Sequence, residues 1–95
     1  MEAVVYIIKS NRTGNYYIGE TDKLVERIAR HNNRDLNTNS TKTGIPWELF
    51  FMIKCGARDK ARKIERHIKR MKSRKYIKNL LKYPEMVDKL LMKYD

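Results

Sequence analysis

Cysteine is nearly absent from this 95-residue chain. The single one, Cys55, excludes an intramolecular disulfide framework. One cysteine and two histidines also fall short of the ligand set of a protein-only zinc site. The expected compartment is therefore a reducing cytoplasm. Long apolar runs are missing too, and none approaches the ~18 residues of a membrane-spanning helix. The start, Met1-Glu2-Ala3-Val4-Val5-Tyr6, has neither the basic opening nor the apolar length of a secretory signal, so no leader is expected. No internal repeat or linker breaks the chain, and the expectation is one domain over residues 1–95. Chains of this size bury only roughly 60–65% of their unfolded surface, which predicts a compact but not hyperstable fold.

Acidic side chains are few in both halves, and basic ones crowd into the second. Residues 1–50 carry seven basic and six acidic side chains, whereas residues 51–95 carry fifteen and five. Nearly all of the net charge of +11 therefore sits in one segment. A concentrated positive field attracts polyanions, and phosphate neutralisation supplies most non-specific nucleic-acid affinity. An acidic membrane surface is the rival partner. The basic helices hold few large aromatic anchors, which argues against it.

Val4 to Lys9 is apolar and β-branched, and Tyr16 to Glu20 is a second β-prone run. Asn11 to Asn15 is turn chemistry, so the two form a hairpin. Thr21 or Asp22 can cap a helix that runs to Asn32 or Asn33. Asn32 to Pro46 reads as a long polar loop, and such loops are usually functional or mobile. Trp47 to Lys54 is a third strand, with Trp47, Leu49, Phe51 and Ile53 expected on one face. Beyond Gly56 the steps become helical through Ala57, Ala61, Ile64, Ile68 and Met71. Ser73 can cap a short helix with Ile77, Leu80 and Leu81, and Pro84 opens a last one over about residues 84–94. The order ββαβααα predicts an α+β fold, a three-stranded, mostly antiparallel sheet with helices packed on it.

Three sets of residues could carry chemistry. Arg27 and His31 are four apart on the helix face that also holds Leu24 and Ile28, so both turn toward the sheet. That spacing suits an arginine snorkelling from the core rim and a hydrogen-bonded histidine as well as it suits a site. Glu65 falls about 80° from Ala57, at the edge of an apolar stripe spanning about −40° to +40°. A carboxylate there could hold a divalent ion or pair with Lys69. Tyr6, Tyr16 and Tyr17 lie on the paired strands, where tyrosines commonly pack across the sheet.

The order of these residues is more specific than any one of them. Tyr6 closes Val4-Val5-Tyr6, and Tyr17-Ile18-Gly19 begins after ten more residues. Glu20-Thr21, Leu24, Arg27 and His31-Asn32 follow, then Lys42, Pro46-Trp47-Glu48-Leu49, Glu65, Ile68-Lys69 and Lys72-Ser73-Arg74. From about Val4 to about Leu81 this resembles the GIY-YIG endonuclease superfamily. It looks closest to the small single-domain bacterial type, similar to the nuclease domain of the excinuclease C subunit. The first tripeptide has Val where the family has Gly and Ile, but it keeps the tyrosine.

The resemblance implies a metal-dependent DNA endonuclease. One Mg2+ (or Mn2+) ion would sit on Glu65, Tyr6 would act as general base toward the attacking water, and Tyr17, Arg27 and His31 would support it. Gly19 would permit close approach where a Cβ would intrude. Lys42, Lys69, Arg70, Lys72, Arg74, Lys75 and Lys78 would meet phosphates, and Asn79 is the counterpart of an asparagine found late in many family domains. No recognition domain is expected to follow, so little sequence specificity is expected, with structure selectivity and a link to DNA repair or recombination. The expected partner is DNA, with no membrane, no small-molecule cofactor, and a monomer or weak homodimer as the assembly. The alternative is a non-catalytic nucleic-acid-binding domain that keeps the fold.

Overall fold

Six consecutive residues, Ala3 to Ile8, are buried, which puts the strand that carries them in the middle of the sheet. This strand, β1 (Ala3–Ser10), pairs with β2 (Tyr16–Thr21) on one side and with β3 (Trp47–Gly56) on the other. The sheet order is β2-β1-β3 and every pairing is antiparallel. The computed structural model describes residues 2–95. Its helices are α1 (Leu24–His31), α2 (Arg58–Met71), α3 (Arg74–Lys82) and α4 (Pro84–Lys93), and a 3-10 turn spans Ser40–Gly44. The architecture is the expected α+β arrangement, ββαβααα.

The hairpin turn forms where the short polar residues are. Ser10 Oγ accepts from the backbone N–H groups of Arg12 and Thr13, and Gly14 takes a positive φ of 76° that a side chain would resist. Both faces of the sheet are covered, as the bulky strands predict. On one face Val5, Ile7, Ile53 and Cys55 meet Ala61, Ile64 and Ile68 of α2, with Ile77, Leu80 and Leu90 behind them. On the other, Tyr6, Ile8 and Trp47 pack with Tyr17, Leu24, Ile28 and Ile45. Each large apolar side chain buried in this way contributes about 1.5–3 kcal/mol, so β1 is the main source of cohesion. Ser73 caps α3 by accepting from the Tyr76 N–H, and Pro84 starts α4, both as read from the sequence.

Three expectations change. The first helix is shorter than expected, because Thr21 ends β2 and its hydroxyl accepts from the Lys23 N–H at 3.0 Å. That bond closes a strand-to-helix turn, so neither Thr21 nor Asp22 caps α1, which stops at His31. β3 does not keep Trp47, Leu49, Phe51 and Ile53 on one face. Ile7 pairs with Phe51 but Ile8 with Leu49, and the skipped residue, Phe50, is a bulge. It reverses the alternation, leaving Trp47 beside Tyr6 and Ile53 with the opposite core. The stripe of α2 is also narrower, since Ala57 precedes the helix and Met71 is exposed.

Candidate active site

Tyr6 lies directly across the ladder from Gly19. A Cβ on Gly19 would stand 2.5 Å from both Cζ and the hydroxyl oxygen of Tyr6. The phenol therefore lies over Gly19, reaching toward β2, the edge strand. Tyr17, two residues before Gly19, shares that face, with ring centroids 6.4 Å apart. From α1, Arg27 and His31 come down on the same spot. From α2, on the other side of the sheet, the Glu65 carboxylate adds a last, small electrostatic push against ionisation of Tyr6. Side chains of α1 and of the sheet thus converge over β2, and the missing side chain of Gly19 leaves room for the Tyr6 ring.

The hydroxyl of Tyr6 is 3.0 Å from His31 Nε2, and His31 Nδ1 is 2.9 Å from Thr41 Oγ1. Tyr6 has no accessible surface at all. Burial, reinforced by Tyr17, pushes its pKa up to about 12, although the Arg27 guanidinium facing it pulls the other way. The cationic help that a tyrosine base requires is present, but burial outweighs it. His31 is held below the usual histidine range, first by burial and then by Arg27, so its ring stays neutral at physiological pH.

A cavity of about 210 Å³ opens beside this cluster, lined by Tyr17, Arg27, Arg30, His31, Asn37 and Asn39 among others. It is polar and has room for several waters or a phosphate group. Tyr6 is not part of its wall, although its neighbours Tyr17, Arg27 and His31 are. The long polar loop, expected to be functional or mobile, supplies much of the lining and is firmly bonded. Asn32 brackets β3 by accepting from the Trp47 N–H and donating to its carbonyl, and the Trp47 indole donates to the Thr41 carbonyl at 2.7 Å. Asn37 and Thr41 are buried.

Among the described residues no cluster of three or more His, Cys, Asp or Glu side chains could hold a metal ion. The chemistry of the donors available suits a hard, hydrated ion that needs one carboxylate and takes its remaining ligands from water and phosphate. Glu65 fits that part: its side chain is 18% exposed and its only ion pair among the described residues is a long one, 3.5 Å to Lys69. The nearby Glu20 is already engaged by Arg58 at 3.0 Å and Arg62 at 3.7 Å.

The structure thus brings together Tyr6, Tyr17, Gly19, Arg27 and His31, and Glu65 reaches them only through the effect of its charge on Tyr6. It leaves the other expected contacts outside the cluster. Lys42 is exposed on the 3-10 turn and is absent from the cavity wall. Lys69, Arg70, Lys72, Lys75 and Lys78 are exposed along the end of α2 and on α3. Arg74 donates to Asn15 at 2.6 Å and so ties α3 to the hairpin turn. Asn79 is half-buried on α3, apart from the Tyr6–His31 bonds. Sequence reasoning missed Glu20 with Arg58 and Arg62, which clamp α2 to β2, and Asn37, Asn39 and Thr41 behind His31. The alternation of short amides and hydroxyls from Asn37 to Thr41 is the signal that could have flagged side-chain-to-backbone turns.

A family model described as the GIY-YIG catalytic domain matches residues 2–78, from the strand that carries Tyr6 into α3. No curated protein and no solved structure matches the chain.

Proposed function

We propose, from the premise that the chain belongs to the GIY-YIG family, that it is a metal-dependent endonuclease that hydrolyses DNA phosphodiester bonds with little sequence specificity. Nuclease activity in general comes with the family; the finer claims rest on the site. The observation that carries them is convergence on one phenol: Tyr6 touches His31, faces Arg27 and senses Glu65.

With a pKa near 12, Tyr6 is not a phenolate at neutral pH. It acts as a base only as its own proton leaves for His31 Nε2. The attacking water forms its bond to phosphorus and gives a proton to the Tyr6 oxygen, the bond to the 3′ oxygen breaks, and that oxygen takes a proton from solvent water. Arg27 neutralises charge developing on the phosphate oxygens. Because Tyr6 is covered, Arg27 must turn from the phenol to the phosphate before water reaches it, so substrate binding uncovers the base. A divalent ion such as Mg2+ or Mn2+, held by Glu65 when bound, supplies charge stabilisation at the phosphate and the leaving oxygen. The basic run over Lys69, Arg70, Lys72, Lys75 and Lys78 tracks the DNA backbone, which positions the substrate without reading bases. The whole chain works as one unit, a monomer or weak homodimer, on DNA intermediates of repair or recombination, in the cytoplasm.

The burial of Tyr6 favours one other reading, a nucleic-acid-binding domain that keeps the fold without the chemistry. Purified protein incubated with duplex, flapped and branched DNA, with Mg2+ or with chelator, separates the two. Mg2+-dependent cleavage of at least one substrate is expected. Tight binding to all of them with no cleavage under any condition supports the binding domain and refutes the nuclease.

A further inference from the structure

The bonds behind His31 leave only one arrangement of protons. The Thr41 backbone N–H needs an acceptor and finds it in the Asn39 side chain at 2.8 Å, which makes that atom the amide oxygen. The carbonyl of His31 needs a donor and finds the Asn37 side chain at 2.8 Å, which makes that atom the amide nitrogen. The second hydrogen of that nitrogen goes to Thr41 Oγ1, also at 2.8 Å. Thr41 Oγ1 has one proton to give and lies 2.5 Å from the Asn39 amide oxygen, which only accepts. The proton goes there. Thr41 therefore has nothing left to donate to His31 Nδ1, so Nδ1 must carry the hydrogen of that 2.9 Å bond. A neutral imidazole has one N–H, and Nε2 is then bare and accepts from the Tyr6 hydroxyl at 3.0 Å.

From this geometry we infer that Thr41, locked by Asn39 and Asn37, is a positioning residue that fixes the ring tautomer of His31 and so aims the proton of Tyr6 at Nε2. The inference deepens the nuclease reading and rests on it for its kinetic consequence, but the tautomer itself exists with or without catalysis. Thr41 touches neither substrate nor reacting atoms. Without its oxygen, Nδ1 loses its acceptor, the two tautomers become comparable, and the Nε2–H form cannot take a proton from Tyr6.

Long-range 1H–15N spectra of the histidine rings near pH 7.5 read the tautomer directly. Wild-type protein is expected to show His31 with the hydrogen on Nδ1. Thr41→Ser keeps that pattern, whereas Thr41→Val shifts it toward Nε2–H. In cleavage assays Thr41→Val loses roughly 100-fold in kcat, within the range of a positioned acid–base group, with DNA affinity unchanged, and Thr41→Ser restores most of the rate. If Thr41→Val does not fold, Asn39→Ala decides. It frees the Thr41 proton to turn toward Nδ1, and the same shift to Nε2–H is expected. An Nε2–H ring in the wild type, or unchanged ring shifts in the folded variant, overturns the inference. A wild type that shows the Nδ1–H ring but cuts no DNA leaves it standing and sinks the nuclease reading instead.

Discussion

Gly19→Ala is a small change at the point where the site is tightest. The added methyl would sit 2.5 Å from the Tyr6 hydroxyl and Cζ and 2.8 Å from Cε1, whereas ordinary contacts begin at 3.4 Å. The phenol must therefore retreat by about 0.9 Å, close to the ~1 Å displacement that can cost 10²-fold in rate. Tyr6 has no free space to retreat into, because it is fully buried and bonded to His31. Overpacking of this kind costs about 1–3 kcal/mol, and loss of unfolded-state freedom at a former glycine offsets about 0.4–1 of it. A net loss of about 1–2 kcal/mol lowers the melting temperature by roughly 4–16 °C in a domain this small. The account thus predicts a folded protein with a modestly lower melting temperature, DNA affinity near wild type, and cleavage down by roughly 100-fold. Thermal melts, salt-controlled binding and single-turnover rates measure the three quantities. A variant with wild-type stability and rate would show that the position of Tyr6 over Gly19 is immaterial, and the reasoning would fail.

Other outcomes follow from charge. The folded pKa of Tyr6 is about 12 against an ordinary 10, so its contribution to stability is complete below pH 10 and is lost as pH rises toward 12. That loss is about 2–3 kcal/mol, and Tyr6→Phe should lack this part of the alkaline decline in denaturant melts. At the acid side the folded pKa values of His31 and His67 are both depressed, so the unfolded chain binds more protons and stability falls as pH drops below about 6.5. His31→Gln should flatten that decline, and an unchanged profile would contradict the burial of a neutral ring. DNA binding should weaken with salt, with a slope of log K against log[salt] of roughly −3 to −4 for four phosphate contacts. Lys75→Ala with Lys78→Ala should reduce the slope by about 1–2 and leave sequence preference unchanged. A slope that ignores both substitutions would place the DNA elsewhere.

Much of this was legible in the sequence, for identifiable reasons. The hairpin could be read because β-branched runs flank a turn of Asn, Thr and Gly, and α2 to α4 because their apolar steps are helical. The order of Tyr6, Tyr17, Arg27, His31 and Glu65, through the family resemblance, singled these residues out, and the first four lie side by side because strand pairing and one helix face put them there. The bulge at Phe50 could not be read, because one unpaired residue in β3 leaves the composition of the strand unchanged while reversing its faces. The burial of Tyr6 was hidden as well, since it depends on what α1 and Tyr17 lay over the sheet. The bonds of Asn37, Asn39 and Thr41 were missed because a polar loop looks the same in sequence whether its side chains face water or a histidine.

The central claim, that the β2 edge performs metal-dependent chemistry, is tested most directly by Glu65→Gln. The substitution keeps size and shape and removes the one carboxylate of the cluster not already held by two arginines. Single-turnover cleavage at saturating DNA and Mg2+, with affinity measured in parallel at fixed salt, gives two numbers. The account predicts that cleavage is abolished while affinity is unchanged or slightly higher, since a negative charge leaves a basic surface. Cleavage at the wild-type rate would mean that Glu65 does no more than pair with Lys69, and would contradict the account.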